Sequence, residues 1–192
     1  MTRDLGAAEP EVHAKAKEVL GFWFDGLMAE QWFAHSDSVD AAIRDLFAPL
    51  LDELKANRAE GWRDDPDTLL AAVIVLDQFS RNIHRGTAEA FAADPLAREL
   101  ALLGLDRGWD RQLPIERRHF LYMPLMHAED SELQTLCLES FDQPGLEQGL
   151  EYARQHAEVI ARFGRFPTRN AALGRESTAE ERVYLSQGGV GW

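Results

Sequence analysis

The sequence has a single cysteine, Cys137, and this shortage excludes a disulfide within one chain and a zinc site built from several thiolates. Long apolar runs are also missing. The longest strongly apolar stretch, Leu69 to Leu76, has eight residues, whereas a membrane-spanning helix needs about 20. Residues Met1 to Pro10 lack the basic start and apolar core of a secretory signal. We therefore expect a soluble, unprocessed protein of the reducing cytoplasm that does not contact membranes.

Basic residues are scarce relative to acidic ones, with 20 Lys and Arg against 33 Asp and Glu and a net charge of -13. A chain this acidic repels a phosphate backbone, so we expect no nucleic acid partner. Lysine is rare even within the basic set, because only Lys15, Lys17 and Lys55 occur. The cations are therefore mainly planar guanidinium groups, which suit bidentate bonding to carboxylates and phosphates.

Sustained alternation of apolar and polar residues, which marks strands, is absent, and apolar residues recur at helical spacing along almost the whole chain. No Pro-, Gly- or Ser-rich linker divides the sequence, so we predict a single all-α domain over residues 1–192, with a frayed tail at 188–192. Short loops favour antiparallel helix pairs, stacked as a bundle or a short solenoid. The predicted helices run from Pro10 to before Gly26, from caps at Ser36 to Ser38 toward Gly61, from Pro66 to about Asn82, from Asp94 to about Arg107, from Ile115 to about Tyr122, from Glu129 through Phe141, from Leu146 to about Phe163, and from a capping box at Ser177 to Glu180 through Leu185.

The third predicted helix is apolar on all sides from Leu69 to Leu76, which predicts a position in the centre of the fold. Its C-terminal end carries Asp77, Arg81 and Arg85 at successive spacings of four, so a continuous helix stacks them on one face. One interpretation is a purely structural ion pair. The other is a ligand site, in which Asp77 orients Arg81, and Arg81 with Asn82 presents donors to a carboxylate or phosphate.

A similar motif occurs near the C-terminus. The segment Phe166-Pro167-Thr168-Arg169-Asn170 resembles Phe79-Ser80-Arg81-Asn82 but is one residue longer. Around it, four arginines fall within fourteen residues that hold no Asp or Glu: Arg162, Arg165, Arg169 and Arg175. Their mutual repulsion must be relieved by acidic partners from elsewhere in the fold or by a bound anion. The loop from 164 to 174, interrupted by Gly and Pro, is accordingly either a rigid connector or a cradle for an anion.

A third cluster, His127-Ala128-Glu129-Asp130, places a base of near-neutral pKa beside two carboxylates. His127 and Glu129 are therefore candidate proton-transfer groups. Two other interpretations stay open: His127 caps the helix that starts at Glu129, or it joins Glu129, Asp130 and His156 as a metal ligand. Because nearby arginines oppose a bound cation, we predict no metal and no cofactor.

Several of these stretches also carry a family resemblance. They are Leu20-Gly21-Phe22-Trp23-Phe24, Leu76-Asp77-Gln78-Phe79-Ser80-Arg81-Asn82-Ile83-His84-Arg85-Gly86, Phe120-Leu121-Tyr122-Met123-Pro124, His127-Ala128-Glu129-Asp130 and Arg162-Phe163-Gly164-Arg165-Phe166-Pro167-Thr168-Arg169-Asn170. In order and spacing they resemble the bacterial family catalogued as domain of unknown function 924, from about Lys15 to Leu185. The resemblance implies an all-helical fold similar to tetratricopeptide-repeat proteins and no established activity. Thr168 stands where the family often carries His, and Ala128 where Ser is common, so the resemblance does not support a mechanism that needs an imidazole in the last loop.

Two functions follow from these patterns. The first is the binding, with turnover as an option, of a small anionic metabolite in an arginine-rich pocket. Its ligand-binding residues would be Asp77, Arg81, Asn82, Arg85, Arg165, Arg169 and Asn170. The second is a module similar to tetratricopeptide repeats that binds a protein or peptide without catalysis. The two differ in where the arginines point, because a pocket needs them to converge and a binding groove needs them exposed along its length.

Overall fold

A computed structural model describes residues 8–189, and these residues form helices with no β-strand among them. The all-α prediction is therefore confirmed. Of the predicted frayed tail at 188–192, residues 190–192 lie outside the described residues. The α-helices are α1 (Ala8–Leu20), α2 (Asp37–Asn57), α3 (Pro66–Ile74), α4 (Ser80–Ile83), α5 (Asp94–Asp106), α6 (Ile115–Met126), α7 (Ser131–Phe141), α8 (Glu147–Phe163) and α9 (Ala179–Ser186). Over the same residues, no helix is both long and apolar enough to cross a membrane.

Short turns of other helix types connect these elements. The described part of the chain has two π-helical turns, at Gly21–Asp25 after α1 and at Val75–Phe79 between α3 and α4. The second turn joins α3 and α4 into one continuous helical segment over 66–83, close to the helix predicted from Pro66 to Asn82. The 3₁₀ turns are Ala29–Trp32, Ala88–Phe91, Asp110–Gln112 and Pro167–Arg169.

Side-chain caps set several helix starts. The Asp65 carboxylate accepts hydrogen bonds from the amides of Asp67 and Thr68, both at 3.0 Å, and so begins α3 where the sequence predicts it. Helix α7 begins at Ser131, two residues later than predicted, because Asp130 is its cap. The capping box of α9 is likewise formed one residue later than predicted, by Thr178 and Glu181.

Helix α3 lies in the centre of the fold, which confirms the prediction from its apolar sequence. Every residue from Thr68 to Ile74 is buried, and the helix packs against α1, α5 and α6. A repeat in a solenoid contacts only its neighbours along the stack, whereas α3 contacts α1, which precedes it in the sequence, and both α5 and α6, which follow it. The solenoid arrangement similar to tetratricopeptide repeats therefore stays a prediction.

The two π-helical turns pack against each other through their aromatic side chains. Trp23 from the first turn and Phe79 from the second have ring centroids 5.4 Å apart, and Trp23 also meets Phe120 of α6 at 5.5 Å. Residues of a second, smaller core hold the C-terminal loop against α8: Val159, Ile160 and Phe166. Together these contacts fix the C-terminal end of the central segment and the arginine-rich loop, the two parts of the chain that carry the candidate site.

Candidate functional site

Asp77 lies inside the π-helical turn at the end of the central helix and is fully buried. A π-turn is a rare widening of the α-helix that often accompanies functional sites. Here the turn presents Asp77 to α6, where His127 directly follows the last helical residue. The Nδ1 atom of His127 lies 2.8 Å from the Asp77 Oδ1 atom. The sequence places the two residues fifty positions apart, and only the packed fold makes them a pair.

The Asp77 carboxylate is held by three side chains. Nη1 of Arg81 lies 3.1 Å from Oδ1 and also donates a hydrogen bond of 2.6 Å to the main-chain carbonyl of Asp77. The side-chain amide of Gln78 donates to Oδ2. Burial opposes ionisation of this carboxyl group, but Arg81, His127 and Gln78 together lower its pKa below the usual range. Asp77 is therefore a buried carboxylate with a complete set of donors.

His127 is neutral beside this carboxylate. Burial is the largest cause and lowers the pKa of its imidazole to about 4, with Asp77 opposing the shift and Arg81 and Arg169 adding to it. Because the Asp77 carboxylate carries no proton to donate, the short contact requires the hydrogen on Nδ1 of the imidazole. The lone pair of the ring is then on Nε2, the tautomer in which histidine acts as a base.

Two buried arginines meet at one carboxylate next to this pair. Arg81 binds Asp94 through both terminal nitrogens, with Nη1 3.0 Å from Oδ1 and Nη2 3.1 Å from Oδ2. Arg169, from the C-terminal loop, donates through Nη1 to Oδ2 of Asp94 at 3.3 Å and through Nη2 to the carbonyl of His127 at 3.0 Å. The two arginines with similar sequence motifs, eighty-eight positions apart, thus converge on the same group.

Aromatic rings lie on the guanidinium group of Arg169. Arg169 lies over Phe91 and Phe166, with its guanidinium carbon 4.7 Å from each ring centroid. Arg81 also lies over Phe91, at 5.6 Å. Asp94 provides the link to solvent, because its side chain is 17% exposed while both guanidinium groups are more deeply buried.

The charge of Arg169 is incompletely compensated. Burial, the largest cause, and repulsion from Arg81 together lower the pKa of its guanidinium to about 10, against the opposing effects of Asp94, Glu129 and Asp77. The Nε atoms of Arg81 and Arg169 are buried without a hydrogen-bond partner among the described residues. Arg81 is paired with both Asp77 and Asp94, whereas Asp94 is the one carboxylate within ion-pair distance of Arg169 among the described residues, and each guanidinium keeps an unused Nε donor.

The structure separates Asn82 and Arg85 from this site. Both bind Asp40 of α2: the amide of Asn82 donates to Oδ1 at 2.7 Å, and Arg85 donates to both carboxylate oxygens at 2.7 and 2.9 Å. The predicted stacking of Arg85 on the face of Asp77 and Arg81 is wrong. The π-turn changes the helical register, and α4 ends at Ile83 before Arg85 is reached.

Three further predicted residues, Arg165, Asn170 and Glu129, serve the C-terminal loop. Arg165 binds both oxygens of Glu181, at 2.7 and 2.9 Å, and the amide of Asn170 reaches the same carboxylate at 3.4 Å. Glu129 accepts two hydrogen bonds from Arg175, at 2.7 and 2.8 Å. The repulsion among the loop arginines is thus relieved largely by acidic partners from elsewhere in the fold.

The alternative roles of the His127 cluster are also clear from the geometry. His127 does not cap α7, because Asp130 does so by accepting hydrogen bonds from the amides of Glu132 and Leu133. Of the carboxylates named in the metal interpretation, Asp130 binds the first amides of α7 and Glu129 binds Arg175. Within residues 8–189, no group of three or more His, Cys, Asp or Glu side chains is placed to hold a metal ion.

Sequence reasoning missed Asp94 and Phe91 as site residues. Asp94 precedes a proline and is the first residue of α5, so its sequence context indicates a helix start. Its carboxylate makes no cap there and binds the arginines instead. Phe91 ends a short 3₁₀ turn that no pattern in the sequence predicts.

Comparison with known proteins agrees with the architecture. A family model described as "Bacterial protein of unknown function (DUF924)" matches residues 19–189. The solved structure of a protein of unknown function, ATU0120 from Agrobacterium tumefaciens, is 37% identical and superposes with a TM-score of 0.87, covering 92% of this chain and 99% of that one. No curated protein matches the sequence.

Proposed function

We propose that this chain, which belongs to the DUF924 family of bacterial proteins, binds a small carboxylate- or phosphate-bearing metabolite at the guanidinium groups of Arg81 and Arg169. The observation that carries the proposal is that two buried guanidinium groups share one carboxylate, Asp94, and each keeps an unused Nε donor. A buried donor without a partner is costly, and a buried cation without full compensation more so. An oxyanion that accepts from both groups relieves both costs.

The low exposure of the site makes such binding selective for small ligands. Charge-assisted bonds from guanidinium to an oxyanion are about twice as strong as neutral hydrogen bonds, and they strengthen further where water is excluded. Asp94 occupies the partly exposed side of the arginine pair. An incoming oxyanion therefore enters beside Asp94 or displaces it, and Asp94 acts as an internal competitor.

The pair of Asp77 and His127 supplies the acid/base group of the same site in this proposal. An imidazole with a pKa of about 4 is too weak a base for proton transfer at neutral pH. A bound oxyanion favours the protonated imidazole, so ligand binding raises the pKa of His127 toward the range where it exchanges protons. Arg169 links the two parts, because it donates to the His127 carbonyl.

The alternative function, a peptide-binding module, receives less support from the arginines. A binding groove requires exposed side chains along its length. Arg81 and Arg169 are instead buried and converge on one carboxylate. We therefore assign the small-molecule site priority over the interaction module.

The substitution Asp94→Asn tests the proposal because it removes the internal competitor while keeping the shape of the side chain. We expect the variant to unfold at a lower temperature than the parent in sodium chloride. We expect added phosphate or succinate, at constant ionic strength, to stabilise it more than it stabilises the parent. A ligand at a hundredfold its dissociation constant raises the free energy of unfolding by about 2.7 kcal/mol.

A matched control separates this effect from the general action of salts. Asp67→Asn removes a carboxylate that pairs with Arg117 on the surface, 3.2 Å away, and leaves the arginine pair intact. Equal responses of the two variants to phosphate and to succinate would refute the proposal. A response to one anion alone identifies the class of oxyanion. Titration calorimetry of the parent with the same anions gives a measurement that does not depend on the stability of any variant.

A further inference from the structure

A cavity lies at the N-terminal half of α6, and neither Arg81 nor Arg169 lines it. It has a volume of about 440 Å³, within the range of about 300 to 1,000 Å³ typical of small-molecule sites. His119, on this cavity, and His127 are eight positions apart on and just after α6, which corresponds to about 12 Å along the helix axis. The lining residues are Ala29, Glu30, Trp32, Phe33, Glu116, His119, Phe120, Gly145, Leu146, Gln148 and Gly149.

Aromatic rings form one wall of this cavity. The indole of Trp32 is fixed by a hydrogen bond of 2.7 Å to the carbonyl of Trp23, and it packs edge-on against Phe120 with centroids 5.2 Å apart. Phe33 lies nearly parallel to Phe120, with centroids 6.2 Å apart, and is 47% exposed. An exposed aromatic ring beside two further rings offers the negative π-faces that attract organic cations.

The ionised groups on the cavity are carboxylates. Glu30 and Glu116 both line it, and neither forms an ion pair with a described residue. No lysine or arginine is among the lining residues that the structure describes. His119 adds no positive charge at neutral pH, because burial lowers the pKa of its imidazole to about 4. The cavity therefore combines aromatic faces with two uncompensated negative charges.

Two features of the wall keep the cavity in this shape. Gly149 lets the rings of α6 and α7 approach α8, since an added Cβ atom would lie 2.4 Å from Phe141 and 3.0 Å from Nδ1 of His119. The ring of His119 contacts both Phe33 and Phe120, with centroids 5.6 and 5.4 Å apart. The ring nitrogens of His119 form no hydrogen bond with the described residues, so they are available to a polar group of a ligand.

We infer that this aromatic cavity binds an organic ammonium cation, with the cationic group over Phe33 and Trp32 and its charge balanced by Glu30 and Glu116. A phosphate or carboxylate is disfavoured there by the same two carboxylates. The cavity carries negative charges, whereas the arginine pair is positively charged, so each proposed site can be tested without the other.

Choline and its uncharged isostere 3,3-dimethyl-1-butanol test the inference, because they have the same shape and hydroxyl group and differ in the charge. We expect titration calorimetry at fixed ionic strength to give millimolar binding of choline and binding of the alcohol at least about tenfold weaker. Equal affinities for the two compounds, or no binding of choline at about 20 mM, would overturn the inference.

Variants locate the binding. Phe33→Leu keeps an apolar side chain at an exposed position, and we expect it to weaken choline binding about three- to fivefold, which corresponds to a single cation–π contact. The double variant Glu30→Gln and Glu116→Gln should weaken it by a similar factor. Leu46→Ala is the matched control, since Leu46 is 61% exposed on α2 and does not line the cavity. An effect of Phe33→Leu no larger than that of Leu46→Ala would place the cation elsewhere and overturn the assignment.

Discussion

Replacing Arg81 with alanine removes the cation on which two carboxylates depend. In the structure the guanidinium lies 3.1 Å from the fully buried carboxylate of Asp77 and 3.0 Å from that of Asp94. Breaking a buried pair from one side costs about 3 to 5 kcal/mol, because the remaining charge stays buried without compensation. With a urea dependence of about 2 kcal/mol per molar, a loss of about 4 kcal/mol lowers the unfolding midpoint by about 2 M.

Urea unfolding followed by tryptophan fluorescence measures this loss, since Trp23 lies in the core beside Phe79. Arg154→Ala is the matched control: its side chain is 58% exposed and lies 3.7 Å from Glu151 on the same helix. A surface pair of this kind contributes about 0 to 1 kcal/mol. If Arg81→Ala and Arg154→Ala lose similar amounts of stability, Arg81 does not compensate Asp77, and the electrostatic account of the site is wrong.

Two further predictions concern stability. Burial lowers the pKa of both His119 and His127 to about 4 from 6.5, so between about pH 6.5 and pH 4 the unfolded chain binds protons that the folded chain does not. The free energy of unfolding should therefore fall as the pH falls through this window, by up to about 3 kcal/mol per histidine, and constant stability from pH 7 to pH 5 in urea titrations would contradict this. Gly149→Ala should destabilise by about 1 to 3 kcal/mol through overpacking, because its Cβ would lie 2.4 Å from Phe141. Gly21→Ala is the control in thermal unfolding, because its added Cβ atom would lie 4.0 Å from the Asp25 carboxylate, and equal melting temperatures for the two variants would contradict the packing argument.

The helices were predictable where capping residues and the spacing of apolar residues in the sequence agree with the packing in the structure. Asp65 caps α3 through its side chain, and the apolar run after it is buried on every side. The sequence did not predict the π-turn at Val75–Phe79, because its apolar spacing is the same as that of an ordinary α-helix; the turn packs against Trp23 through Phe79. It also placed the end of α6 too early, since the helix continues through Pro124 to Met126.

Part of the candidate site was predictable from the distribution of charged residues in the sequence. The C-terminal segment has four arginines and no acidic residue, so its charges must be balanced by groups from elsewhere in the fold. The sequence did not identify those groups, because a long-range contact leaves no periodicity in it. Asp94, which joins Arg81 and Arg169, carries only the signal of a helix start. The seven residues predicted to bind a ligand in one pocket therefore belong to three separate clusters, around Asp94, Asp40 and Glu181.

The long sequence separations within the site also determine how binding of the proposed oxyanion would be coupled to folding. Arg169 reaches Asp94 across seventy-five positions and the His127 carbonyl across forty-two, so the two guanidinium groups are neighbours only in the folded chain. An oxyanion bound by both groups therefore binds the folded state and not the unfolded one, and its affinity appears in full as added stability. Stabilisation by phosphate or succinate and the affinity from calorimetry must then give the same dissociation constant for the parent. A stabilisation that exceeds the value expected from that constant would mean that the anion acts on the surface as a whole and not at the arginine pair.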